Sequence, residues 1–97
     1  MQVKAVGIAW YRAENYDRLK ALFTDGWKLP DKFDNWLETA QQLCDELAFE
    51  GQIVEKAYID PIAFPRWCRA HGVQMDAQGR MAYANECAAK RLSAEEQ

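Results

Sequence analysis

Only two short segments of this chain are rich in Val, Ile and aromatic residues as a strand is, residues 3–11 and 53–59, and a long helical stretch separates them. That pair of strands limits the fold more than any other feature. If they are parallel neighbours, the crossover between them runs right-handed. Two strands alone make a marginal sheet. Either residues 73–75 supply a third short strand, or two chains pair their edge strands, and dimerisation is the expectation adopted here. Within the first strand, Gly7 signals a bulge or the close approach of another element.

The remaining segments read as helices. Residues 14–23 place Tyr16, Leu19, Leu22 and Phe23 on one face. After Pro30 and Asp31, which suit a first helical turn, Phe33, Trp36, Leu37, Ala40, Leu43, Cys44, Leu47 and Ala48 recur at steps of three and four. This is one apolar stripe, and Gly51 closes it. Asp60-Pro61 opens a third helix as cap and first residue, with Pro65 expected to bend its first turn and Gly72 to end it. Asp76 caps an alanine-rich fourth helix to about Leu92, and residues 93–97 are expected to fray. The order β-α-α-β-α-α describes a single, mostly helical α+β domain spanning residues 1–97.

Function is constrained chiefly by what is scarce. The hydroxyl side chains of Ser and Thr number three, Thr24, Thr39 and Ser93, and His71 is the single histidine, so the inventory for nucleophilic or general-base chemistry is thin. The expectation is a protein without catalytic residues, cofactor or metal. Three cysteines, Cys44, Cys68 and Cys87, lack the spacing of a zinc site or a disulfide framework, which fits a reducing cytoplasm. A net charge of −3 opposes general attraction to nucleic acid or anionic membrane. No apolar run has the length of a membrane span, and the N-terminal residues read as a strand rather than a signal peptide.

The segments Gly7-Ile8-Ala9-Trp10-Tyr11-Arg12, residues 16–22, and Leu29-Pro30-Asp31 ahead of Trp36-Leu37 resemble small bacterial proteins of no assigned function. Asp60-Pro61, Phe64, Trp67-Cys68, Arg80 and Tyr83-Ala84 fit the same pattern. Proteins of that kind are often borne on mobile elements such as integron gene cassettes. The resemblance implies no activity, ligand or catalytic residue.

Four groups of residues carry alternative readings. Trp10, Tyr11 and Arg12 with Tyr58 and Asp60 lie at the strand C-terminal ends, where ligands settle in parallel sheets, or else they pack, pair and cap. His71 is a base or a contact for the last carbonyls of its helix. Cys68, between Arg66 and Arg69, is an activated thiol or a core residue. Residues 31–50 carry six acids and one lysine (net −5), whereas residues 61–92 carry five basic residues and two acids (net +3). Arg66, Arg69, Arg80 and Arg91 therefore form a basic face for a partner, or solvated helix surfaces. The leading expectation is a non-catalytic module that binds an unidentified protein or itself, with Trp27 and Trp10 as anchors. The alternative is a small-molecule site at the strand ends, and a weaker one is regulation through nucleic acid.

Overall fold

A computed structural model describes residues 5–96, with side chains through residue 91. Strand β1 (Ala5–Trp10) pairs in parallel with β2 (Ile53–Tyr58), Ala5 opposite Ile53 and Trp10 opposite Tyr58. Helices α1 (Tyr16–Leu22) and α2 (Phe33–Phe49) lie between the strands, and α3 (Ala63–His71) and α4 (Ala77–Glu96) follow them. The expected α+β class and element order are thus present. Residues 73–75 form no strand; the Met75 carbonyl accepts the Thr24 N–H at 2.9 Å instead. Among the described residues the sheet has two strands, and no helix is long and apolar enough to cross a membrane.

The pleat sends alternate side chains to opposite faces, so Trp10 and Gly7 look in opposite directions. Trp10 meets Trp36 of α2 edge-on at 5.1 Å. On the other face a Cβ at Gly7 would fall on the Ala84 carbonyl oxygen of α4. Helix α4 can lie this near because Ala84 and Ala88, one turn apart and both buried, present only methyl groups. Gly7 therefore marks close approach rather than a bulge. The sheet is the middle of three layers, α2 above and α4 below.

Beyond the strand ends the rings of Tyr11, Tyr16, Phe23, Trp36 and Phe64 form a continuous buried series. Tyr11 lies 4.5 Å from Trp36, and Phe23 lies 5.8 Å from both Tyr11 and Phe64. This cluster fastens α1, α2 and α3 to one end of the sheet.

Three local expectations change. Helix α3 is regular from Ala63 rather than Pro61: the Phe64 N–H already bonds the Asp60 carbonyl at 3.0 Å, and Pro65, with no N–H, leaves the next bond of that first turn unmade, as expected of it. Asp60 still caps it: one carboxylate oxygen accepts the N–H groups of Ile62 and Ala63 at 2.8 and 2.7 Å. Helix α4 continues to Glu96 rather than fraying after Leu92. Leu43, expected on the buried stripe of α2, is 43% exposed.

Candidate interaction surface

The feature that stands out is a groove of about 310 Å³ along the outer edge of β1. Gly7, Ile8 and Ala9 form its floor, Trp36 and Leu43 of α2 one wall, and Met81 of α4 the other. The helices cover opposite sheet faces, and no β2 residue touches the groove. A cavity with that lining lies along the free edge of the sheet.

The backbone on its floor has polar groups to satisfy. The Trp10 carbonyl accepts the Ile59 N–H at 2.9 Å, so the backbone groups of Trp10 point toward β2. Within a strand successive residues alternate in this respect. Ile8 and Val6 therefore also face β2, while the N–H and C=O of Gly7 and Ala9 face the groove. Such outward groups of an edge strand are hydrated until another strand pairs with them, and they form a template for that pairing. Apolar walls supply no partner; another strand would supply all of them.

The two sheet edges are built differently. β1 reads AVGIAW and has no charged residue, whereas β2 reads IVEKAY. Lys56 is exposed and stands over the Trp10 ring at 4.3 Å, and Glu55 pairs with Arg91 at 3.9 Å. Charge on an edge strand discourages pairing with another chain. Among the described residues, the β1 edge lacks that protection.

The residues expected to form a site at the strand ends part company. Trp10 and Tyr11 are buried in the core, and burial pushes the Tyr11 hydroxyl up to about 12. Arg12 and Tyr58 do meet, the guanidinium 4.2 Å above the ring, and Asp60 is engaged as the cap of α3. Of the two tryptophans considered as interface anchors, Trp27 is 77% exposed and Trp10 is internal.

The basic face loses a member. Arg66, Arg69 and Arg91 are exposed, but Arg80 is buried and forms two hydrogen bonds to Asp25, at 2.7 and 3.0 Å. Asp25 also accepts the Ala77 N–H at the start of α4. The Arg80 hydrogen bond holds the Asp25 carboxyl below its usual range. This ion pair ties the loop after α1 to the first turn of α4, which forms one wall of the groove.

The remaining reactive groups are committed elsewhere. His71 stacks on Trp67 and places Nδ1 2.8 Å from the Trp67 carbonyl, as a histidine in a last helical turn should. Gly72 then ends α3 in the left-handed region, at φ 65°. Cys68 is buried, and burial raises the thiols of Cys44, Cys68 and Cys87 above their usual range. That is opposite to the activation two flanking arginines would bring.

The β1 edge was only partly legible in the sequence. Its lack of charge and the shortage of strands were visible, but the groove depends on Leu43 and Met81 converging from helices on opposite faces. No family model, curated protein or solved structure matches the chain.

Proposed function

We propose that the protein is a non-catalytic interaction module that completes its two-stranded sheet with an extended strand from a partner polypeptide, bound along β1. The observation that carries this reading is the set of outward backbone groups at Gly7 and Ala9 on the floor of an apolar groove. Strand addition to an exposed sheet edge takes its affinity from main-chain hydrogen bonds and its selectivity from side-chain pockets. Here Trp36, Leu43 and Met81 supply apolar surface for such side chains.

A photo-crosslinking benzoylphenylalanine in place of Met81, expressed in cells, tests the reading. A polypeptide adduct that disappears when Thr39 on the opposite wall is changed to Arg is the expected result. The same crosslinker at Trp27 probes the rival exposed anchor. Adducts from position 27 with none from position 81 would move the interaction away from β1 and overturn the proposal.

A further inference from the structure

Resting on that reading, we infer that the strand is β1 of a second copy of this chain. The two β1 strands run antiparallel about a two-fold axis normal to the sheet, giving one four-stranded sheet in the order β2-β1-β1-β2.

Such a contact must be self-complementary, because the same surface serves both sides. The β1 edge meets that condition. With Gly7 on the axis, Gly7 faces Gly7 and Ala5 faces Ala9. By the alternation argued above these residues direct their N–H and C=O groups outward, so each pair exchanges both hydrogen bonds. Val6 and Ile8 then face one another across the strands, a favourable β-branched pair.

Charge decides whether the helices tolerate this arrangement. A two-fold axis normal to the sheet keeps each layer with its own kind, so α2 meets α2 and α4 meets α4. Helix α2 bears Asp34, Glu38, Asp45 and Glu46, and like charges there would oppose a dimer. The α2 residues at the groove are instead Trp36, Thr39, Ala40 and Leu43, all uncharged. On α4 the groove wall carries Ala77 and Met81, and Arg80 there is neutralised by Asp25.

The path of α4 supplies the space. Its first turns line the outer edge of β1, Ala84 lies on Gly7, and Arg91 reaches Glu55 on β2. The helix thus crosses the sheet on a diagonal, overhanging the edge at one end and receding from it at the other. Under the two-fold operation the overhanging turns of one copy stand beside the receding part of the other. The rims argue for a whole copy rather than a bare peptide. Met81 is 61% exposed and Leu43 43%, and a partner that brings its own helix layers covers both.

Sedimentation equilibrium on the purified full chain tests this inference. The expected result is a species of twice 11.2 kDa. Met81→Glu should weaken its association at least tenfold, and so should Leu43→Lys on the other wall, with far-UV circular dichroism unchanged. Phe49→Glu, at a 93% exposed position outside the groove, should leave it intact. A chain that stays monomeric to millimolar concentration overturns the second-copy inference. The strand-acceptor reading then stands or falls on the crosslink from position 81 to another polypeptide. A dimer indifferent to both groove substitutions overturns the inference as well.

Discussion

Asp25 and Arg80 show why single residues mislead when read from sequence. Arg80 belongs among the basic residues of the last third of the chain, and nothing near it signals a partner 55 positions away. Folding turns it inward, and the pair becomes the link between the loop after α1 and α4. Removing one partner of a buried ion pair strands the other charge, whereas replacing both is often close to neutral. Asp25→Ala should therefore lower unfolding stability by about 3 kcal/mol, measured by urea titration. The double variant Asp25→Ala with Arg80→Met should recover much of that loss; additive losses would contradict the pairing.

The pair also predicts a response to pH. Its folded carboxyl titrates below the usual 3.8, held there first by the Arg80 hydrogen bond. A depressed carboxyl contributes stability above its unfolded value and loses it as pH falls through the folded one. Stability should thus decline on acidification below about pH 4, and the decline should be shallower in Asp25→Ala. An unchanged acid slope in that variant would remove Asp25 from the account.

Among the elements, periodicity identified what local sequence controls. The stripe of α2, the cap at Asp60 and the stop at Gly72 are all set by residues within a few positions of one another. Asp60→Ala should lower the thermal midpoint, because the Ile62 and Ala63 N–H groups lose their shared acceptor. What periodicity could not give was the choice between two neighbouring apolar positions on α2. Ala40 and Cys44 are buried, while Leu43 is left at the rim of the groove. That choice depends on which element lies opposite, and among the described residues Leu43 looks onto the groove along the edge of β1. The contact of α4 with β1 was foreshadowed by Gly7 alone. Gly7→Ala would drive a methyl into the α4 backbone, which cannot rotate away as a side chain can. We expect a loss of about 2 kcal/mol or more; a neutral Gly7→Ala would show that α4 can lift without penalty.

For the molecule as a whole, the shortage of strands was the most telling property of the sequence, and the structure gives it a location. Charge on β2 and its absence on β1 make the two edges unequal. Helices on opposite faces then turn the uncharged edge into a groove whose floor is the outward-facing backbone of Gly7 and Ala9. The residues that form its floor and two walls come from three separate segments, which is why no local motif announces the surface. Trp10, Tyr11 and Arg80, conspicuous in the sequence, are internal. Met81 and Leu43, inconspicuous there, stand at the rims.

Amide hydrogen exchange along β1, followed by NMR over a range of protein concentrations, tests the central claim most directly. Ile8 and Trp10 donate toward β2 and should exchange slowly at every concentration. Gly7 and Ala9 donate into the groove, so their protection should rise with concentration as a second strand covers them. Fast exchange at Gly7 and Ala9 that is independent of concentration, in a chain whose Ile8 and Trp10 remain protected, would contradict pairing of β1 with a second copy.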